Sequence, residues 1–329
     1  MAHEIEQSTD YHYALEDGLP WHGLGIQRRQ RMTLDDVIQA LPRMAETPVL
    51  CRVFYSDPTN RIEARDCGSK RAIVYPSDGT YIGMATDGYR PKAFAEAFEQ
   101  AFGWVDALGA HVSGAALLRG GSRAFIMARC PDLGFNVDGD KHSMWLSVFA
   151  GSDGQTGIYP HATFVREVCA NTVAAGVAEA KGNGRAFSIA HHGNVNAKLA
   201  EASVALGQLT EVRDAYAKAC EVLLARAVSR AAQVEFAKAL VPGDSSRAEN
   251  ARGSILRLAY SGRGNPRVAG TAYALWQGVT DYVDHHAVQS SKGDVNERRF
   301  LYAVEGAGAD LKRRALALLT QPAPDRLAA

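Results

Sequence analysis

Cysteines are few in this chain, and none are arranged to build a site. The five (Cys51, Cys67, Cys130, Cys169 and Cys220) are odd in number, widely spread and never spaced as CxxC. That spacing excludes a zinc ribbon and suggests no disulfide framework. No apolar run approaches the roughly 18 residues of a membrane span, so no membrane partner is expected. Met1-Ala-His-Glu-Ile-Glu6 has neither the basic nor the apolar stretch of a secretion signal, and a cytoplasmic protein is expected. No HExxH, calcium-binding loop, phosphate-binding loop, GxGxxG or GxSxG pattern is present. Net charge is missing too: 36 Lys+Arg balance 36 Asp+Glu. That balance excludes a nucleic-acid binder acting through bulk charge.

The 329 residues are 47% apolar and 22% charged, an ordinary balance for a soluble globular protein of one elaborated domain or two. Charge is unevenly placed. Residues 1–180 carry 16 basic and 22 acidic side chains, a net of −6; residues 181–329 carry 20 and 14, a net of +6. Such asymmetry marks either an anionic partner, a self-association surface or plain helix-surface composition.

Periodicity predicts an α+β fold: an antiparallel β-rich N-terminal part with packed helices, followed by a helical C-terminal part. The expected organisation is an arm over 1–30, a β-rich core over 31–184, helices over 185–320 and a disordered tail over 321–329. Pro20-Trp-His-Gly-Leu-Gly25 reads as a tight turn, and Thr33 as the N-cap of a helix. Strands are expected at Val49–Tyr55, Arg71–Tyr75 and Tyr81–Thr86, then a helix from Lys92 to Val105. Arg119-Gly-Gly121 reads as a hairpin turn between Val112–Leu118 and Ser122–Ala128. A second strand pair, Ser143–Ala150 and Gly157–Phe164, leads into Arg166-Glu-Val-Cys-Ala-Asn-Thr172. An alanine-rich helix is expected from Asn171 to Ala180. Further helices are expected over Asn194–Ala225, Val222–Leu240, Ser245–Tyr260, Gly270–His286 and Asn296–Leu319.

Candidate chemistry is thin. The pairs His191-His192 and His285-His286 are adjacent, and neighbours on a helix point about 100° apart, so neither pair predicts a metal site. Cys169 with Asn171 can be drawn as a thiol site, but a single such cysteine reads equally as a small buried hydrophobe. No catalytic residue, metal or cofactor is assigned. Arginine carries the stronger local signal. Arg247, Arg252, Arg257, Arg263 and Arg267 fall within 21 residues against one acid, Glu249. Arg119 and Arg123 flank a hairpin tip, and Arg166 stands at the expected β-to-α junction. Guanidinium groups suit phosphates, and Tyr159, Phe164 and Tyr260 could stack bases.

Several motifs occur in order: Met1-Ala-His-Glu-Ile-Glu6, Pro20-Trp-His-Gly-Leu-Gly25, Asp87-Gly-Tyr89 with Pro91, and Arg166-x-Val-Cys-x-Asn-Thr172. The series closes with Gly264-Asn-Pro266, Gly270-Thr-Ala-Tyr-Ala and Thr280-x-Tyr-x-Asp-His-His286. Together they resemble the phage/plasmid-like proteins of the domain-of-unknown-function family 932. The resemblance implies a mobile-element origin and no particular reaction. Strands running into a helix are also similar, at the level of fold, to phage single-strand annealing proteins. The function this implies is binding of single-stranded DNA, with annealing or recombination and self-association. Arg119, Arg123 and Arg166 would contact phosphates, Asn171 backbone or sugar, and Arg247, Arg252, Arg257, Arg263 and Arg267 would extend the groove. Charge reversal at Arg123 and Arg166 is then expected to abolish binding in a folded protein. The alternatives are a non-enzymatic accessory protein that binds a host or phage protein, and an enzyme using the Cys169/Asn171 region.

Overall fold

Alternation of apolar side chains along three long strands sets the architecture. The computed structural model describes residues 26–27, 32–40, 45–54, 62–75, 79–86, 94–151, 157–167, 171–174, 209–288, 295–304 and 306–320. Strands β1 (Ile26–Gln27), β5 (His111–Leu118), β6 (Arg123–Val137), β7 (Asp140–Gly151), β8 (Tyr159–Arg166) and β9 (Asn171–Ala174) form one antiparallel sheet in the order β1-β5-β6-β7-β8-β9. A smaller sheet pairs β2 (Ala45–Phe54), β3 (Ile62–Val74) and β4 (Tyr81–Thr86) in sequence order. Helices α1 (Leu34–Ala40) and α2 (Phe94–Ala107) lie within this half of the chain. The second half contributes α3 (Leu209–Ala225), α4 (Arg230–Leu240), α5 (Ser246–Ser261), α6 (Ala272–Asp281), α7 (Val295–Val304) and α8 (Ala307–Thr320). The fold is α+β, with antiparallel sheets first and helices after.

The large sheet is buried on both faces. Ala124, Ile126 and Ala128 of β6, Leu146 and Val148 of β7, and Ala162 and Phe164 of β8 share one core with α2, α3 and α6. The residues between them (Phe125, Met127, Trp145, Phe149, Tyr159 and Val165) form a second cluster with Phe300 and Val304 of α7. Side chains of a strand alternate between faces, so one strand feeds both clusters. A bulge between Val112 and Gly114 shifts this phase by one residue: Val112 and Ala115 face the first cluster, Ala116 and Leu118 the second. Phe125 lies 5.3 Å from Phe149 and 5.0 Å from Phe300, ring centre to ring centre, which fixes α7 against the sheet.

Local signals place many of the ends. Thr33 Oγ1 accepts from the Asp36 amide at 3.1 Å while Asp36 accepts from the Thr33 amide at 2.8 Å, a reciprocal cap. Ser229, Ser245 and Thr271 cap α4, α5 and α6, each side chain accepting from the amide three residues on, Ala232, Ala248 and Ala274. Arg119, Gly120 and Gly121 all take positive φ at the β5–β6 tip.

The sequence reading needs four corrections. Asn171–Ala174 is not the start of a helix but strand β9, paired antiparallel with β8. Thr172 and Val173 are β-branched and fit a pleated surface better than a helix. The expected helix over Asn296–Leu319 is two helices, α7 and α8. Strands β3, β6 and β7 run further than expected, because β6 and β7 continue to a turn at Asp138-Gly139 and β3 begins at Ile62. Cys67 is disulfide-bonded, although the cysteine spacing suggested no bridge. Cys130 and Cys220 are free and buried, and burial pushes both thiols up to about 12. The N-terminal motifs, Cys169, His191-His192, residues 175–208 and the tail lie outside the described residues.

Phe300→Ala should cost roughly 3–5 kcal/mol, because it empties the contact between α7 and the sheet. Urea unfolding checks this, and a cost below about 1 kcal/mol would show that α7 adds nothing to the core.

Candidate functional site

The residues brought together at one end of the large sheet owe their meeting to strand register. Arg166 is the Cα partner of His142 across β7 and β8, and Asp140 lies two residues before His142. With a side-chain period of two, all three point to the same face. Asp140 begins β7 immediately after a two-residue turn in which Asp138 and Gly139 have φ of 49° and 81°, the turn geometry that suits a twisted hairpin. The Gly139 amide donates to Asn136 Oδ1 at 2.7 Å and closes that turn.

Arg166 is 2% exposed. Its Nε and Nη2 both reach Asp140 Oδ2 at 2.7 Å. Its Nη1 donates to Asn265 Oδ1 at 2.7 Å and to the Arg263 carbonyl at 3.2 Å. One guanidinium therefore joins the start of β7, the end of β8 and the loop after α5. Asn265 is itself held, donating through Nδ2 to the Leu258 carbonyl at 2.7 Å. Gly262 makes this turn possible. A side chain there would meet the Leu258 carbonyl at 2.6 Å and Asp281 Oδ2 at 2.7 Å.

Tyr273 of α6 completes the cluster. Its hydroxyl donates to Asp140 Oδ2 at 2.8 Å, and its ring lies under the Arg166 guanidinium at 5.5 Å. His142 Nε2 is 3.0 Å from the same hydroxyl. Since the Tyr273 proton goes to Asp140, His142 Nε2 carries the proton of that second bond and Nδ1 is the bare nitrogen. Nδ1 has no hydrogen-bond partner among the described residues. The His142 ring stacks on Phe135 at 4.5 Å. Burial lowers its pKa to about 4, Asp140 opposing the shift and Arg166 reinforcing it, so the ring is neutral near pH 7.

This buried cluster backs onto an open cleft of about 260 Å³. Gly139, Asp140 and Lys141 of the β6–β7 turn, Arg166 and Glu167 at the end of β8, and Gly264 and Arg267 of the loop after α5 line it. Glu167 pairs with Arg129 at 3.2 Å. A second buried ion pair stands behind β9. Lys312 Nζ donates to Asp284 Oδ1 at 2.5 Å and to the Thr172 carbonyl at 2.6 Å, and the Thr172 amide donates to Asp284 Oδ2 at 2.7 Å. That pair pins the short strand β9 to α8 and to the π-helical turn Tyr282–His286 that follows α6. Nearby, Asp281 is raised above its ordinary range by burial, with His286 Nε2 3.4 Å away. Among the described residues no group of three His, Cys, Asp or Glu could hold a metal ion.

The arginines expected to bind phosphate are in different settings. Arg166 and Arg267 share the cleft, and Arg263 lends it a backbone carbonyl. Arg123 is 4% exposed inside the sheet, and Arg119 is exposed at the hairpin tip, where its amide donates to Glu297 of α7. This tip lies at the far end of β7 from Asp140, about 36 Å away at the rise of a strand. Arg252 donates to the Val241 and Gly243 carbonyls after α4. Arg247, Arg257, Arg263 and Arg267 are exposed. Asn171 is in β9, paired with Arg166 in register. Because Arg123 and Arg166 are buried, charge reversal at either one tests folding, and the expectation of a folded double mutant is withdrawn. Asp140 and His142 escaped the sequence reading, in which Asn265 and Tyr273 stood only as motif residues without a role. The turn signal Asp138-Gly139 could have found the first two.

Asp140→Ala leaves Arg166 buried without its counter-ion and should cost about 3–5 kcal/mol in urea unfolding. A cost near that of a surface substitution would remove the pair from the foundation of the site. His142 adds a pH dependence. Its folded pKa lies below its unfolded value, so the unfolded chain takes up the proton first as pH falls. Stability should drop by about 3 kcal/mol between pH 6.5 and about 4. In His142→Gln that increment should vanish from the difference between the two unfolding curves.

No curated protein and no solved structure matches the chain. The family described as Domain of unknown function (DUF932) matches residues 82–304, from β4 through α7 and across the whole cleft, and the chain belongs to that family.

Proposed function

We propose that the protein binds single-stranded DNA along the face formed by α5 and the loop that follows it. One observation carries this reading. Arg247, Arg257, Arg263 and Arg267 are exposed and form no ion pair among the described residues, while Glu249 is the one acid in that stretch. Unpaired guanidiniums on a surface attract phosphates, and each one neutralised releases counterions. Beside them Tyr260 is 38% exposed, its ring capped by Arg230 at 5.4 Å and its hydroxyl held by Gln233 at 2.9 Å. A fixed ring next to cations is a place for a base to stack.

In this reading the protein comes from a phage or plasmid and aids annealing or recombination, several copies acting on one strand. We place it in the cytoplasm with that substrate. Among the described residues no helix is long and apolar enough to cross a membrane. The Cys67 disulfide argues the other way, since cytosolic thiols are kept reduced.

Fluorescence anisotropy of a labelled single-stranded oligonucleotide, titrated at several salt concentrations, tests the proposal. Micromolar or tighter binding that weakens linearly on a log–log salt plot is expected, and Arg247→Glu/Arg257→Glu should weaken it at least about tenfold. No binding at low salt would sink the proposal.

A further inference from the structure

We infer that the cleft beside Arg166 is a phosphate subsite, ligated by Lys141 and Arg267. The inference rests on the single-stranded DNA reading and adds a specific seat for one phosphate of the strand. Three cations and two carboxylates line the cleft. Both carboxylates are already answered, Asp140 by Arg166 and Glu167 by Arg129. Lys141 and Arg267 remain, both lining the cleft and neither with an ion pair among the described residues. Two unanswered cations in one concave site make it attractive to an anion.

The geometry around them is built. The Arg267 guanidinium packs against Gly139, where a Cβ would lie 2.9 Å from Nη1. Gly139 and Gly264 both take left-handed backbone, with φ of 81° and 71°. Arg166 joins the two segments, holding the start of β7 against the Arg263–Asn265 loop. Arg166 gives its bonds to protein acceptors and its charge is balanced by Asp140, so Lys141 and Arg267 supply the attraction. Arg267 offers a planar fork suited to two oxyanion atoms, and Lys141 offers a point charge. A tetrahedral phosphate fits this pairing, whether in a nucleic-acid backbone or as free phosphate.

The test is the double variant Lys141→Ala/Arg267→Ala, whose two side chains are exposed and leave the Asp140–Arg166 cluster untouched. Its thermal melt is compared with wild type first. Two readouts follow: the salt slope of single-stranded oligonucleotide binding, and calorimetric titration with inorganic phosphate. Loss of that one phosphate contact should flatten the log–log slope by about 0.7. Wild type should bind inorganic phosphate and the variant should not. A slope and a phosphate titration both equal to wild type would overturn the subsite, while oligonucleotide binding would still stand on Arg247 and Arg257. Phosphate binding that is lost in the variant, with no oligonucleotide binding by either protein, would support the subsite as one for free phosphate and overturn the DNA reading.

Discussion

The Arg166–Asp140 pair is the constraint on which this end of the molecule depends. Burying two charges is costly, and the cost is offset only where the geometry answers nearly every donor and acceptor. Here Asp140 Oδ2 takes three donors: Arg166 Nε, Arg166 Nη2 and the Tyr273 hydroxyl. Arg166 in turn holds Asn265 and the Arg263 carbonyl. The pair therefore ties together two strands, a loop and a helix that lie far apart in the chain. A hydrophobic contact could fill the same volume, but it could not fix the loop carbonyl and the strand end at defined angles.

That fixation gives the surface its character. The cleft inherits its walls from the buried cluster, and its free cations stand on residues that the cluster positions. His142 belongs to the same economy. It fills the space between Phe135 and Tyr273 as a neutral ring, because burial penalises its charged form and Arg166 adds to that. The Thr172–Asp284–Lys312 cluster does for β9 what Arg166 does for β8, anchoring a strand end to the helical half. Both anchors use residues of the motifs that mark the family, Arg166 and Thr172 on one side, Asn265 and Asp284 on the other. Those motifs mark the seam between sheet and helices.

Local chemistry was legible where it acted locally. Thr33 and Ser245 announced helix starts, Arg119-Gly-Gly121 announced a hairpin, and the arginines of α5 stood out by the scarcity of acids. Asp138-Gly139 carried an equally clear turn signal and was passed over, which cost the extension of β6 and β7. Asn171–Ala174 misled because alanines follow it. Its strand state comes from pairing with β8 and from Asp284, 112 residues away.

The sequence by itself determined the α+β class, the order of strands before helices, the hairpin tip and the family. All of these rest on periodicity, turn residues and ordered motifs, which act within a few residues of each other. Only the tertiary structure decided which arginines are surface and which are framework. Arg166 and Arg257 look alike in the chain, yet one is sealed against an aspartate 26 residues away and a tyrosine on a later helix, while the other faces water. Burial and ion pairing are properties of strand register and helix packing, and no local pattern encodes them.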